Sequence, residues 1–492
     1  MAQRTTKTQV NGYRFLFRRL EHALVRRDVR MIHDPMGGHI RSVMVGLVIT
    51  VLVVGASVAL AVFRPQGSVG DSKILLDRDS GALYTIINDT LHPALNLASA
   101  RLATGSPEDP NAVKESVLSG YKRGPAIGIP GAPSSLNIHK DATSTWTACD
   151  QADEPANPES SLQVGVIGGP LDSGAHLSAL GPTQALLAEN GGKKYLVTAG
   201  HVAEVDMYSF AIRQALGLQN ANPRPISAAV LNAMATAPDI DAPQIPDRGK
   251  PAPWDLSGAR IGSVIQVDGT SESTLYVVLD DGIQQISEVA GDVILNGGDK
   301  NTTESVVKVA PGAIADIRQV SDLDLSAIPA TRPTIVDGTS QHVLCFSWSK
   351  KGDDKASVAT LIGDRYPLSS SATMVNVVGA TGNGTAADVT YIPGGAGYFV
   401  RATGSEPDST RADGQFYVAD TGTRFGVPGE LTKPLGFTDA PKSAPYGVIS
   451  LLPAGPTLSR DAALVAHTDL EGTAGEAIPG DQDSGASASD GN

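Results

Sequence analysis

The chain has 492 residues, a formal net charge of −14, 53 Gly, 32 Pro, two Cys and few aromatics. That length suffices for one large or two ordinary domains, and the composition favours turns and short strands over long helices. The acidity excludes nucleic acid as a partner of choice, because each phosphate contact needs a cation. The charge is also unevenly spread. Residues 1–41 carry nine Lys or Arg against three acids, and the remainder carries twenty-nine against forty-nine.

The first predicted element is an amphipathic helix over residues 11–33, with Asn11 as N-cap and Asp34-Pro35 as its stop. At 100° per residue, Tyr13, Phe17, Leu20, Leu24 and Met31 fall within one arc of about 60°. Arg14, Arg18, Arg19, Arg26 and Arg30 occupy the rest of the surface. A lone helix cannot bury its own stripe, so the stripe calls for a protein partner or a bilayer surface. A second reading is that the arginines only enforce topology. Topology needs no aligned aromatic stripe, however, and docking through Tyr13, Arg14, Phe17, Arg18, Leu20, Leu24 and Arg26 is the preferred reading.

The next element is uncharged from residue 42 to residue 63 and is bracketed by Arg41 and Arg64. At about 1.5 Å per residue such a helix crosses the roughly 30 Å hydrocarbon core of a bilayer. A signal peptide is the competing reading, supported by the small residues before Arg64, although its apolar region would be shorter and nearer Met1. Basic residues favour the cytoplasmic side, so the arm is expected in the cytoplasm and the acidic remainder is expected to be exported across the membrane.

The run Thr6-Lys7-Thr8-Gln9-Val10-Asn11-Gly12-Tyr13-Arg14-Phe15-Leu16, continued by residues 18–28, closely resembles the start of the EccB family. Those proteins are single-pass membrane components of the mycobacterial type VII (ESX) secretion machines. The likeness extends over the arm, the span, two distant cysteines and the ending Leu452-Pro453-Ala454-Gly455-Pro456. It implies a structural subunit partnered by the EccC motor ATPase, EccD, EccE and the mycosin protease, and by copies of itself in the periplasm. It also implies four repeat modules about a central domain, modules compared with a phage-lysin subunit that binds cell wall.

Beyond the span a pattern recurs four times. Each copy reads as two strands about a Gly turn and then a helix, a ββα-like unit of about 35 residues. The helical segments are expected over 91–102, 209–216, 286–295 and 431–436. Hairpin turns need positive φ and helices commonly end on a left-handed residue, which accounts for Gly81, Gly105 and Gly217. Tyr84, Tyr195, Tyr276 and Tyr417 each lie in a second strand, read as core rather than binding surface. Their uneven spacing excludes a regular propeller or solenoid.

Strand-like runs at 146–149, 162–167, 342–348, 357–362, 374–378, 389–392 and 446–452 lie between the repeats. The expected fold is mainly β with α+β repeats: a cytoplasmic helix, one transmembrane helix, and a discontinuous central β domain carrying four ββα-like repeats. The boundaries read 1–41 arm, 42–63 span, 64–105 repeat 1, 106–180 central part, 181–247 repeat 2, 248–300 repeat 3, 301–392 central part, 393–440 repeat 4, 441–470 return to the central domain and 471–492 disordered tail. In an oxidising compartment Cys149 and Cys345 are expected to pair, the alternative being two unpaired buried thiols. Closing so long a loop stabilises by on the order of 5 kcal/mol at most.

Three kinds of catalytic or metal-binding pattern have partial matches in the chain. Leu196-Val197-Thr198-Ala199-Gly200-His201 resembles the histidine segment of chymotrypsin-like proteases, and Asp172-Ser173-Gly174 and Asp483-Ser484-Gly485 offer serines. Ser173 precedes the histidine, and Ser484 lies in the Gly/Ser tail with no strands after it to form an oxyanion hole. EccB proteins have been designated ATPases, yet no Gly-x-x-x-x-Gly-Lys-Ser/Thr run occurs. Asp77-Arg78-Asp79-Ser80-Gly81 begins like a calcium loop but has Gly81 at the fifth position and Asn88 at the twelfth. The nine histidines show no paired zinc spacing. The reading is therefore no catalytic residues, no cofactor and no metal, in a scaffolding subunit of the secretion complex. A membrane-tethered peptidoglycan-binding module is the alternative, and an ATPase is less favoured.

Overall fold

The structure is a computed structural model that describes residues 6–27, 29–30, 35–63, 69–172, 174, 176–269, 273–297 and 305–467. It divides into two units, Met1–Ser68 and Val69–Asn492.

In the first unit the arm helix is Lys7–Arg26. It starts one turn earlier than Asn11, because Thr6 and Gln9 form a capping box in which the Gln9 side chain accepts the Thr6 N–H at 3.0 Å. Two orphan donors satisfied reciprocally outweigh a single asparagine cap and the helix cost of Gly12, about 1 kcal/mol. It also ends earlier than residue 33, because Arg27 turns left-handed at φ 55° and its N–H closes on Ala23. Met31 lies outside the described residues.

The span helix is Pro35–Phe63, longer than the expected 42–63 because proline at the first position is pre-set for helix and Arg41 does not interrupt it. Its stretch long and apolar enough to cross a membrane is Gly38–Ala59. The hydroxyls within it turn inward. Ser42, Thr50 and Ser57 donate to the carbonyls four residues back at 3.0, 2.8 and 2.7 Å, which leaves no hydroxyl proton facing lipid.

The second unit is built on a seven-stranded sheet whose order is Val375–Asn376, Val389–Tyr391, Leu162–Gly168, Thr143–Ala152, Val343–Lys351, Ser357–Gly363 and Leu177–Ala179. Val389–Tyr391 runs parallel to Leu162–Gly168, and the other neighbours are antiparallel. The two middle strands put Trp146 opposite Trp348 and Cys149 opposite Cys345. Because successive side chains alternate between faces, the tryptophans join one core and the cysteines another on the opposite face. The cysteines form a disulfide with S–S 2.05 Å between fully buried residues.

Four smaller sheets carry the repeats, and each repeat has one strand more than expected before its helix. The third strands are Thr90–Pro93, His201–Glu204, Ile283–Ile286 and Arg424–Gly426. The helices that follow are Leu97–Thr104, Phe210–Leu216, Glu288–Asn296 and Thr432–Leu435. Thr90–Pro93 and Ile283–Ile286 run almost directly into helices. In repeat 1 neither a charge nor a glycine separates Thr90–Pro93 from the helix, so strand and helix read as one segment over 91–102.

A closing strand then returns parallel to the first strand of each repeat: Asn111–Val113, Arg224–Pro225, Val307–Val309 and Lys442–Pro445. The first, third and fourth of these lie past residues 105, 300 and 440, because a parallel return requires the chain to cross the sheet first.

The run 446–452 is not a strand. Tyr446–Ile449 is a helix packed against the helix Ala228–Ala233, so closely that a Cβ on Gly447 would sit 3.0 Å from the Ala233 Cα.

The repeats share cores in pairs. Ile212, Leu216, Val293 and Ile294 join repeats 2 and 3, while Leu102, Phe399, Tyr417 and Leu435 join repeats 1 and 4. A third core, around the two tryptophans, takes in side chains of repeats 2 and 4 and the Tyr446–Ile449 helix.

Candidate interaction surface

The arm helix keeps its apolar stripe exposed. Relative exposures are 67% for Tyr13, 56% for Phe17, 59% for Leu20 and 75% for Leu24. Tyr13 and Phe17 sit one turn apart with ring centroids 5.5 Å from each other, so the aromatic part of the face is preassembled. Arg14 and Arg18 are also exposed, Arg18 with an interaction of its own, and Arg26 stands at the last helical position. Val10 and Leu16 are likewise exposed and flank the stripe about 60° either side of Tyr13, widening the face. The same periodicity would have found both, had the arc been drawn wider.

In the second unit the motifs with a catalytic look are accounted for by packing. His201 opens a strand whose register pairs it with Ala235, and its Nδ1 lies 3.3 Å from the Ala199 carbonyl. Ser173 and Ser484 fall outside the described residues. The Asp77 carboxylate receives the Ser80 hydroxyl at 2.6 Å and the Asp79 N–H at 3.1 Å, and these bonds hold it below the ordinary aspartate range. It closes a turn. Among the described residues no group of three His, Cys, Asp or Glu could hold a metal ion. Gly168 meets Trp146 and Ile392, with 2.6 Å left for a Cβ, so its missing side chain serves close packing.

Tyr417 and Tyr276 are buried, whereas Tyr84 and Tyr195 are half-buried. Arg123 lies 5.6 Å over the Tyr84 ring.

One buried charged pair was not legible in the sequence. Arg224 and Asp150 are both fully buried where repeat 2 meets the central sheet. The Arg224 guanidinium donates to four carbonyls: Gln341 at 3.0 Å, Pro225 at 2.7 Å, His342 at 2.9 Å and Asp150 at 3.2 Å. The Asp150 Oδ2 accepts the Ser227 N–H at 2.7 Å, and its Oδ1 is buried without a partner. Desolvation outweighs the Arg224 charge and pushes the Asp150 carboxyl up to about 6, while burial pulls Arg224 down to about 10.

A raised carboxyl makes the folded state bind more protons than the unfolded one between about pH 4 and 6. Stability therefore falls as pH rises through that window, by about 3 kcal/mol from this group at roughly 1.4 kcal/mol per pH unit. Asp150→Asn is expected to remove that component of the pH dependence. Equal slopes of melting temperature against pH for the variant and the parent would refute it.

The chain matches known proteins over most of its length. The family model described as "Type VII secretion system ESX-1, transport TM domain B" matches residues 2–471. The protein called ESX-3 secretion system ATPase EccB3 in Mycolicibacterium smegmatis is 37% identical over 476 residues, covering 94% of this chain and 90% of that protein. A chain in the structure of an intact ESX-5 inner membrane complex matches with TM-score 0.72 and 32% identity, over 98% of each chain. The structure of the EccB3 dimer from the ESX-3 core complex matches with TM-score 0.69 and 35% identity, over 80% of this chain and all of that one.

Proposed function

Because the chain belongs to the EccB family of type VII (ESX) secretion components, we propose that it is a membrane-anchored structural subunit of such a machine. In this reading the basic arm lies in the cytoplasm and docks to other core components, the span helix holds it in the inner membrane, and the acidic unit assembles in the periplasm. The carrying observation is the exposed face of Tyr13, Phe17, Leu20 and Leu24 on a well-capped helix.

Burying each such side chain contributes about 1.5–3 kcal/mol, against association costs of several kcal/mol, so the face supports binding once a complementary groove covers it. The partners proposed are the EccC motor ATPase, EccD, EccE and the mycosin protease, with copies of the chain meeting in the periplasm. Self-association is supported by the solved EccB3 dimer. The ATPase in the relative's name has no phosphate-cradling Gly-x-x-x-x-Gly-Lys-Ser/Thr run behind it in this chain, and coupling by contact is the mechanism proposed.

The test is a detergent pull-down from native membranes through a tag after Asn492, comparing the full chain with one lacking residues 2–34. The full chain is expected to bring down a motor ATPase and polytopic membrane partners, and the truncation to lose them. Recovery of both forms alone, or with cell wall only, would overturn the scaffold and favour a peptidoglycan-binding module.

A further inference from the structure

We propose that repeat 2 carries a second docking surface, centred on Tyr208, for a Lys- and Arg-bearing segment of another protein on the same side of the membrane. Tyr208 is 98% exposed and Phe210 beside it 58%, in a unit whose other described tyrosines are buried, half-buried or, like Tyr446, about half exposed. An aromatic that covers nothing of its own fold contributes nothing to its stability, whereas rigid aromatics are the usual anchors of interfaces. The loop that presents it is held from below. The Asp206 N–H donates to Ile240 at 3.3 Å, and Val205 is bridged to Ile240. Met207, next in the chain, packs against the core shared by repeats 2 and 3.

Tyr208 lines a cleft of about 670 Å³ together with Lys193, Lys194, Glu204, Asp206, Asp239 and Asp241. The Gly191-Gly192 turn also lines it, both residues at positive φ with open space where a Cβ would stand, so a chain can approach the backbone closely. The two lysines are neutralised. Lys193 pairs with Glu204 at 2.7 Å and Lys194 pairs with Glu189. Asp239 and Asp241 are left as net negative charge next to an aromatic ring, and Asp206 adds its charge while its Oδ1 accepts the Tyr208 N–H at 2.8 Å and the Ser209 N–H at 3.3 Å. That combination is complementary to guanidinium or ammonium groups on an extended segment, one cation able to lie over the Tyr208 face while others meet the carboxylates.

The experiment places the photo-crosslinking residue benzoylphenylalanine at position 208 of the full chain in native membranes. An adduct with another polypeptide is expected, its attachment site mapped by mass spectrometry to within about five residues of Lys or Arg. Its yield is expected to drop about tenfold with Asp239→Lys plus Asp241→Lys, and to fall as salt rises from about 0.05 to 0.5 M. Both aspartates are exposed, and the salt series needs no variant. No adduct, attachment to a copy of this chain, to non-protein material or to a segment without basic residues, or a yield indifferent to both charge reversal and salt, would overturn the proposal. Such a failure leaves the arm untouched, because the two experiments read different parts of the chain.

Discussion

Leu20→Asp together with Leu24→Asp is expected to abolish recovery of the whole membrane complex on a native gel while the protein still inserts in the membrane. Both leucines are more than half exposed in the isolated chain, so the change costs the helix only its propensity term, about 0.5 kcal/mol per position. The capping box at Thr6 and Gln9 lies away from both positions, and the left-handed stop, which closes through the Arg27 N–H and the Ala23 carbonyl, uses backbone groups that the Leu24 side chain does not supply. In a complex the arithmetic is different. Two leucines lose about 3–6 kcal/mol of burial, and two carboxylates must be desolvated in their place, so affinity drops by about two to four orders of magnitude. Normal assembly of the double variant would show that the stripe is not a docking face, leaving the arginines to set topology alone.

Cys149→Ala with Cys345→Ala should give the largest loss of stability in the second unit. The bridge joins directly opposed residues of the two middle strands at a sequence separation of 196. In the chain-entropy model, releasing a loop of that length costs on the order of 5 kcal/mol. Repeats 2 and 3 both lie inside the loop, so its closure limits the unfolded freedom of half the unit. For a cooperative unit of this size the melting temperature should fall by about 6 °C, as an upper figure. The strand pairing itself is expected to survive, since nine consecutive register partners from Val343–Gln151 to Lys351–Thr143 hold it without the sulfurs. A melting temperature unchanged both in this variant and in the reduced parent would mean that the pairing, not the cross-link, fixes the middle of the sheet.

The first expectation was legible because its information is local. Tyr13, Phe17, Leu20 and Leu24 announce a face by spacing alone, and the uncharged run announces a span by length. Helix ends were less legible. Thr6 with Gln9 is a stronger start than Asn11, and Arg27 ends the helix where no Gly or Pro signals a stop. In the repeats the helix stops at Gly105 and Gly217 could be read directly, since both take left-handed φ as a helix end requires. The third strand of repeat 1 merges into the apolar run 91–102, and 446–452 has a strand's composition although helix packing on Ala233 decides its conformation.

By itself, then, the sequence determined the arm's apolar face, the membrane-spanning length, the charge asymmetry, the existence of four repeats about a divided β domain, and the family resemblance. Each of these follows from composition, from residues within one or two turns of each other, or from one local pattern recurring along the chain. Only the tertiary structure decided which repeats share a core, where the parallel closing strands return, that Arg224 is clamped between Asp150 and the 341–342 backbone, and that Tyr208 faces solvent. Those depend on contacts between residues often a hundred or more positions apart. Local periodicity carries no information about such contacts, because each strand must bury one face and the pattern does not say against which partner.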